Sequence, residues 1–265
     1  MEHLYTIFFD TGNAILNTWI MVFVLRGGLA LLARYATVIR DNKIQKRQLK
    51  KSLLKHELSW SFLNLFCTAI ILTYVSKLFA EYGVIDIIHE PASWYIILFE
   101  CALYFFVFDL WFYAVHRLIH IEPLYKWFHK THHVSTQPNP LTSSSMTPVE
   151  GVLEGLIIPL FLAIFTVHET SSYFVMGIAT FMGLYVHTGY DFMPKWWYQR
   201  WYSKWMQSPI FHDQHHQYFT CNYGGFTTIW DRVFKTLRPK MESDFLKLKE
   251  LRTKHESSVE NQTAP

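Results

Sequence analysis

The sequence predicts an all-α fold: a polytopic membrane bundle of about four to five membrane-embedded helices, with a cytoplasmic helical cap that holds a histidine-caged site for two metal ions. Three observations predict it. Of the 265 residues, 51% are hydrophobic and only 17% are charged. Several apolar runs approach the roughly 20 residues that a helix needs to cross a bilayer. The chain also carries 14 histidines, most of them in short clusters.

Composition also excludes some classes of protein and of site. Charge this sparse excludes an intrinsically disordered chain, and the net charge of +3 excludes a mainly electrostatic nucleic-acid binder. No nucleic-acid partner is therefore expected. The three cysteines are scattered without a C-x-x-C pair, so neither a disulfide framework nor a thiolate metal site is expected. Any metal ligands must then be histidines.

Five apolar runs are predicted as membrane-embedded helices. They cover residues 13–33, 58–79, 93–114, 149–167 and 170–188. The last two are joined by the short turn His168–Glu169, which predicts a helical hairpin. Arg26 lies well inside the first run, where a centred arginine costs about 2.5–3.5 kcal/mol on insertion scales, so it either snorkels or faces protein. The N-terminus lacks a basic segment and a small-residue cleavage site, so no removable signal peptide is expected.

The distribution of lysine and arginine predicts the orientation, because short cytoplasmic loops accumulate these residues. Residues 34–55 contain eight lysines and arginines and a single acidic residue, Asp41, so this loop is predicted to be cytoplasmic. A solvated helix face is the alternative, but the loop lies between two apolar runs. Residues 81–93 hold three acidic residues and no lysine or arginine, which places them on the opposite side. Residues 115–148, and the chain from about 189 onward, are then cytoplasmic.

Nine of the histidines fall on the predicted cytoplasmic side or at its interface. They are His116, His120, His129, His132, His133, His187, His212, His215 and His216. Eight of them form three sequence clusters: the H-x-x-x-H motif His116–His120 and the H-x-x-H-H motifs His129–His133 and His212–His216. Histidines spaced i, i+3 and i+4 share one face of a helix, about 5–6 Å apart, so each motif directs two or three imidazoles at one point. The three clusters supply eight histidines, which exceeds the three or four that one zinc ion takes and predicts two metals. The alternative is a polar helix face at the membrane surface.

The order and flanks of these clusters resemble the fatty acid hydroxylase / sterol desaturase superfamily. The similar flanks are Asp109-Leu-Trp-Phe-Tyr, Pro148-Val-Glu150, His187-Thr-Gly-Tyr-Asp191, Asn222-Tyr-Gly-Gly and Trp230-Asp-Arg-Val-Phe. The resemblance covers residues 95–238 and implies an integral membrane, non-haem di-iron oxygenase. It implies the nine histidines as ligands of two iron ions, O2 as co-substrate and a lipid substrate from the bilayer. It also implies an external electron donor, of the cytochrome b5/reductase or ferredoxin type.

The resemblance divides the chain into three regions, and the chain differs from the family pattern at two positions. We expect N-terminal membrane spans with a basic loop over 1–94, the hydroxylase-like catalytic domain over 95–238 and a charged, helical tail over 239–265.

Family members commonly have His-Pro-x-Glu where this chain has Thr147-Pro148-Val149-Glu150. Some have a further histidine at the position of Gly183. A tenth coordination position, if one exists, is expected to be filled by water.

Carboxylates are expected to orient the ligands by accepting the second N–H of each imidazole. The candidates are Asp109, Asp191, Asp213 and, by resemblance, Asn222. In the alternative, Asp213 faces solvent and Asp109 caps or pairs locally. No catalytic residue is expected beyond the metal ligands.

Two further segments bear on access of the substrate. Trp197, Trp201 and Trp205 recur at i, i+4 and i+8, which predicts a helix lying in the headgroup region. Such a helix would hold the metal site against the bilayer where a lipid enters sideways, or would serve as a simple anchoring belt. Residues 134–148 are rich in Ser, Thr and Pro, yet we expect an ordered connection because they join two parts of the metal site.

The expected activity is hydroxylation of a C–H bond of a lipid, a sterol or a fatty acyl chain, with sterol desaturation or methyl oxidation as the alternative. Two rival classes are a metal-binding or metal-transporting membrane protein, whose histidines would lie near the midplane, and a zinc-dependent hydrolase. The hydrolase needs a carboxylate base such as the Glu of H-E-x-x-H, which no cluster contains. The expected location is a multi-pass membrane protein of the endoplasmic reticulum in a eukaryote, or of the cytoplasmic membrane in a bacterium.

Overall fold

The structure is a computed structural model. It describes residues 12–13, 16–17, 19–20, 22–25, 27–29, 31–32, 41–45 and 51–263, without the side chains of Lys51 and of residues 253–263. The described residues between 12 and 32 are helical, as predicted for the first apolar run. Arg26, the N-terminal residues 1–11 and most of the basic loop 34–55 lie outside the described residues.

Most of the described chain is helical, as predicted. The α-helices are α1 (Lys51–Glu81), α2 (Trp94–Ile119), α3 (Lys130–His133), α4 (Pro148–Gly155), α5 (Ile157–Ile164), α6 (Glu169–Val186), α7 (Pro209–Tyr218), α8 (Ile229–Val233) and α9 (Met241–Thr263). A π-helical turn (Tyr125–His129) runs directly into α3, and short 3₁₀ turns occupy Thr142–Ser144 and Trp197–Gln199. Two short strands, β1 (Ile87–Ile88) and β2 (Val167–His168), pair in parallel with Ile87 opposite Val167.

Within the described residues, two helices are long and apolar enough to cross a membrane: Ser52–Glu81 of α1 and all of α2. The 26 residues of α2 extend over about 39 Å, more than the roughly 30 Å of a hydrocarbon core. Large apolar side chains stand exposed along both helices; Phe62 is 60% and Phe99 67% exposed. Apolar surface on this scale is typical of a face that contacts lipid or another protein.

The fourth predicted run does not form one helix. It divides into α4 and α5, with a break at Leu156. Pro159 has no amide hydrogen to donate to the carbonyl of Gly155, and its ring crowds that carbonyl, so a continuous helix is unfavourable there. The prediction of one continuous helix over 149–167 is therefore wrong, whereas its embedding in the membrane stays a prediction. The fifth run forms α6, which begins at Glu169 directly after β2. The predicted turn at His168–Glu169 is therefore wrong, since these two residues belong to the strand and the helix.

Residues 134–148 form the ordered connection that was predicted, fastened to α1. Ser135, Asn139 and Thr142 all donate side-chain hydrogen bonds to the fully buried Glu57, at 2.8–2.9 Å. Close approach of α1 and α4 requires glycine at position 151, because a Cβ there would lie 2.1 Å from an oxygen of Asn64.

The segment around Trp197 is not the helix predicted from its tryptophan spacing. It forms the 3₁₀ turn Trp197–Gln199 followed by non-helical turns. Tertiary contacts outweigh the helical pattern: Tyr198 is buried against Phe245, and the Trp197 carbonyl accepts a hydrogen bond from the Ser203 hydroxyl. Trp197 is half-buried, whereas Trp201 is 78% and Trp205 39% exposed.

The predicted C-terminal tail is helical, as expected, but its first turns belong to the core. Met241 and Phe245 of α9 are fully buried against Phe211 of α7. Farther along α9, Lys249 Nζ lies 3.0 Å from Asp191 Oδ1 in a buried ion pair. The start of α9 thus supports the helix that carries the third histidine cluster. The three-region division of the chain stays a prediction.

Candidate metal centre

All nine predicted ligands converge in one place. Four elements bring them: the C-terminal end of α2, the π-turn with α3, the C-terminal end of α6, and α7. Eight of the nine side chains are buried, and the ninth, His120, is half-buried. The convergence follows from the spacing, because each helical element presents its histidines on one face.

The nine histidines divide into two clusters. Cluster A contains His116, His120, His129, His133 and His215, and cluster B contains His132, His187, His212 and His216. Within each cluster, all candidate ligand atoms lie within 4.8 Å of one another. The two H-x-x-H-H motifs exchange a residue: each gives its i and i+4 histidines to one cluster and its i+3 histidine, His132 or His215, to the other. Two adjacent groups of candidate ligands result, each able to hold one metal ion.

The spacing of the ring nitrogens matches a metal coordination shell. In cluster A the closest Nε2–Nε2 distances run from 2.9 Å, between His129 and His133, to 3.2 Å, between His120 and His133. In cluster B they run from 2.9 to 3.4 Å. Ligands about 2.1 Å from a shared ion are about 3.0 Å apart along an octahedral edge and about 3.4 Å apart along a tetrahedral one.

The outer ring nitrogens fix the tautomer of five imidazoles. Four Nδ1 atoms donate to backbone carbonyls: His116 to Tyr223 (2.8 Å), His132 to Ser145 (3.3 Å), His187 to Gly183 (2.7 Å) and His215 to Cys221 (2.7 Å). The Nδ1 of His129 lies 2.6 Å from a carboxylate oxygen of Glu150. Because the proton sits on Nδ1, Nε2 carries a lone pair directed into the cluster. Lone pairs about 3 Å apart repel unless a cation lies between them, so the donor set fits a metal ion.

Burial keeps the histidines of the two H-x-x-H-H motifs, His129–His133 and His212–His216, neutral. It lowers the pKa of His129, His132, His133, His212 and His216 well below the ordinary value, and that of His215 to about 3. Desolvation is the first cause in each case, because a buried imidazolium loses its hydration. The neutral imidazole is the form that binds metals, so no proton has to leave before an ion enters.

The four residues predicted to orient the imidazoles do not contact them. Asp109 accepts hydrogen bonds from the amides of Phe226 and Thr227. Asp191 accepts from the amides of Met193 and Ile210 and from Lys249, and Asp213 accepts from the Gln45 amide. The Asn222 side chain donates to the Phe211 carbonyl and accepts from the Arg238 amide. The expectation that these groups accept imidazole protons is wrong, since Asp109, Asp191 and Asn222 bond backbone groups and Asp213 bonds the side chain of Gln45.

The alternatives for two of these aspartates are also excluded. Asp213 is buried, not solvent-facing, and burial raises its pKa to about 7. Asp109 does not pair locally, because its partners lie more than 100 residues away in the sequence. Asp191, through the amide of Ile210, caps the first turn of α7 and so positions the helix that carries His212.

Glu150 is the orienting carboxylate that the sequence reasoning missed. It is fully buried, and it bonds His129 from the first turn of α4. Thr147 caps this helix by accepting from the Glu150 amide, and its hydroxyl donates to the Phe128 carbonyl next to His129. A glutamate at the start of an apolar run, in the motif Pro148-Val-Glu150, was the available signal. Thr147 thus supplies a helix cap at the position where the family commonly has histidine.

A cavity of about 80 Å³ opens onto both clusters. His116 of cluster A and His132, His187 and His212 of cluster B line one part of it. The remaining wall is mostly apolar and comes from α2, α6 and the loop before α8; it includes Phe108, Phe112, Ala179, Gly183 and Phe226. An apolar group in this cavity would therefore lie beside histidines of both clusters.

Comparisons with known proteins identify similar chains. The family model described as fatty acid hydroxylase matches residues 101–236, about half of the chain. A Δ7-sterol 5(6)-desaturase of Aspergillus fumigatus is 27% identical over 79% of this chain and 56% of its own length. The lathosterol oxidase of Rattus norvegicus is 27% identical over 60% of this chain and 50% of its own length. The C-4 methylsterol oxidase of Schizosaccharomyces pombe is 32% identical over 52% of this chain and 47% of its own length.

The matched parts cover about half the length of these three relatives. No solved structure matches the chain.

Proposed function

The chain belongs to the fatty acid hydroxylase family, as its histidine motifs predicted, and on that premise we propose that it is a membrane-bound, O2-dependent oxidoreductase of lipids. The observation that carries the proposal is the pair of adjacent histidine clusters, with nine buried or half-buried imidazoles. Clusters A and B would each hold one iron ion. The two ions would supply the strong oxidant that breaks an unactivated C–H bond, which amino-acid side chains cannot provide.

The protein's own groups position the ligands and shape the site. The carbonyls of Tyr223, Cys221, Ser145 and Gly183 hold four imidazoles with Nε2 directed inward, and Glu150 holds a fifth. The apolar wall of the cavity orients a hydrocarbon against His116 and His187 and excludes water from the reacting carbon.

A lipid substrate follows from the shape and position of this cavity. At about 80 Å³ it admits the reacting part of a lipid, while the rest of the molecule stays outside. The similarity to sterol desaturases and sterol oxidases favours a sterol-like substrate over a fatty acyl chain. Hydroxylation remains our first candidate for the outcome. Desaturation or methyl oxidation of a sterol is the second, and the names of these relatives favour it.

We further propose that the chain is a multi-pass membrane protein with the histidine clusters on the cytoplasmic side. The apolar helices α1 and α2 and the basic composition of residues 34–55 support this orientation. Four to five segments would be embedded, with α4, α5 and α6 entering the cytoplasmic leaflet beside α2. The electron donor, of the cytochrome b5/reductase or ferredoxin type, would then approach from the cytoplasm.

Elemental analysis of the detergent-purified protein tests the proposal. We expect about two iron ions per chain, with less iron in His120→Ala and His133→Ala, which alter cluster A, and in His216→Ala, which alters cluster B. His89→Ala is the matched control, because this exposed histidine pairs with Glu169 and lies outside both clusters. One zinc ion, or no metal in reductively handled protein, would contradict the oxidase and favour a hydrolase or a metal-binding protein. Two zinc ions would require expression in iron-supplemented medium to exclude wrong metallation.

A further inference from the structure

One acidic residue faces the cavity without a partner. Glu154 of α4 lines the cavity together with the histidines, and it is half-buried. Among the residues that the structure describes, it has no hydrogen-bond or ion-pair partner. The nearby Ser143 hydroxyl, which also lines the cavity, donates to the Pro140 carbonyl at 2.8 Å. The cavity-lining histidines direct their Nε2 atoms into the two clusters.

The helix geometry fixes the distance of Glu154 from the metal centre. Glu154 follows Glu150 by four residues, so the two carboxylates lie on one face of α4, about 5–6 Å apart between Cβ atoms. Glu150 contacts His129 of cluster A. At the residue before Glu154, the Leu153 carbonyl accepts a hydrogen bond from the Trp111 indole of α2, at 3.1 Å. Glu154 therefore lies about one helical turn away from the clusters, at the level of Trp111.

The cavity extends in the same direction. Phe108, Phe112 and His116 recur every four residues along α2 and all line it, so it follows about two turns, or roughly 12 Å, of that helix. His116 lies at the metal end. Apart from Glu154, the histidines and one serine, the wall of the cavity is made of phenylalanine, methionine, valine, alanine and glycine. A carboxyl group without a partner is unfavourable in such surroundings, and ionisable residues retained there usually serve a ligand or a pathway.

We propose that Glu154 binds the hydroxyl group of the lipid substrate, at about one helical turn from the carbon that is oxidised. This inference rests on the proposed function and narrows its substrate class. It selects a sterol-like alcohol, in which a hydroxyl lies within a few bonds of the reacting carbon. It disfavours an acyl chain oxidised far from its polar end, because such a chain would place a methylene group against the carboxyl.

A binding experiment with matched probes tests the proposal. The full-length protein in nanodiscs is titrated with the fluorescent sterol dehydroergosterol, followed by energy transfer from tryptophan. Cholesterol and cholesteryl methyl ether then compete for the site. The ether keeps the ring system but cannot donate a hydrogen bond. We expect the unaltered protein to bind cholesterol about tenfold or more tightly than the ether, which is the effect of one hydrogen bond to a carboxylate.

Two variants assign the discrimination to Glu154. Glu154→Gln retains a carbonyl acceptor and should keep the preference for cholesterol. Glu154→Leu should bind both probes equally. Glu90→Leu, at an exposed glutamate, is the matched control and should behave as the unaltered protein. Because the readout is a ratio of two affinities, a general loss of active protein does not imitate the result.

Three results would overturn the proposal: a preference for cholesterol that survives in Glu154→Leu, an unaltered protein that does not discriminate, or no saturable binding of dehydroergosterol. A Glu154→Leu variant that binds both probes as before but turns over more slowly would indicate proton delivery instead. Iron content separates these results from failure of the oxidase itself. If the protein has its full iron content and gives any of these results, only the role of Glu154 is overturned. A protein that contains no iron contradicts the proposed function itself.

Discussion

Filling the cavity beside the histidine clusters should stop catalysis without removing the metals. Gly183 of α6 lines this cavity, and a Cβ built at position 183 meets no atom within 4 Å. The Cβ of a leucine therefore meets no neighbour, and the rest of the side chain projects into a space of about 80 Å³. Within a helix, leucine is also favoured over glycine by close to 1 kcal/mol, so we expect stability to be equal or slightly higher. The Gly183 carbonyl that orients His187 is unchanged by the substitution.

The assay combines three measurements on Gly183→Leu: iron content, thermal unfolding and conversion of the lipid substrate followed by mass spectrometry. We expect full iron, an unchanged or higher Tm, and conversion reduced by about 100-fold or more, because loss of access to the site costs the substrate most of its contacts. Gly177→Leu is the matched control. It lies on the same helix, its added Cβ also meets no atom within 4 Å, and it faces an open groove away from the histidines. Gly177→Leu should retain normal conversion.

Normal conversion in Gly183→Leu would refute the assignment of this cavity to the substrate. If iron and conversion fall together, the substitution has disturbed His187 and the result concerns the metal centre. Ala179→Leu then decides, because Ala179 lines the same cavity one turn farther from His187. A fully metallated, fully active Ala179→Leu would also refute the assignment.

Three further predictions concern the metal centre. Glu150→Gln should weaken iron retention by about 10–100-fold, measured by dialysis against a chelator, because the carboxylate orients His129; Glu154→Gln should retain iron normally. His132→Ala and His215→Ala should each abolish turnover and lower the iron content while membrane insertion is unchanged, and full activity in both would contradict the ligand assignment. In metal-free protein, burial holds the pKa of His215 at about 3, below the roughly 6.5 of the unfolded chain, so the unfolded state binds more protons between these values. The free energy of unfolding should therefore be fully retained above about pH 6.5 and fall as the pH drops toward 3, and denaturant titrations at about pH 7.5 and 5.5 measure the difference.

Sequence patterns predicted those features of the site that depend on one element at a time. The i, i+3, i+4 spacing of His212, His215 and His216 is satisfied by α7 alone. The eight histidines identified by their spacing converge, together with His187, which the family resemblance added. The division into clusters depends on how α3 and α7 face each other. The spacing within each motif therefore could not show that His132 and His215 cross over.

The predicted orienting carboxylates failed for a related reason. Asp109 and Asp213 were chosen because they lie close to histidines along the chain, whereas four of the five imidazoles with a bonded outer nitrogen are held by backbone carbonyls. A carbonyl carries no residue-specific signal, so no sequence pattern marks the roles of Tyr223 or Cys221. The tryptophan stripe failed because packing of Tyr198 and a hydrogen bond to the Trp197 carbonyl fix turns where the spacing alone favours a helix.

The exchange of His132 and His215 has a structural consequence for the centre as a whole. Cluster A needs His215 of α7 beside His129 of the π-turn and His133 of α3, and cluster B needs His132 of α3 beside the histidines of α7. Neither cluster can form until both helices are in place. An ion bound in cluster A therefore holds α3 and α7 in the arrangement that cluster B requires, and the reverse is equally true, since coupling between two sites is reciprocal. Each candidate site is thus supported by the elements of the other, so we expect an ion in one cluster to strengthen the binding of an ion in the other, which suits a reaction that needs two ions together.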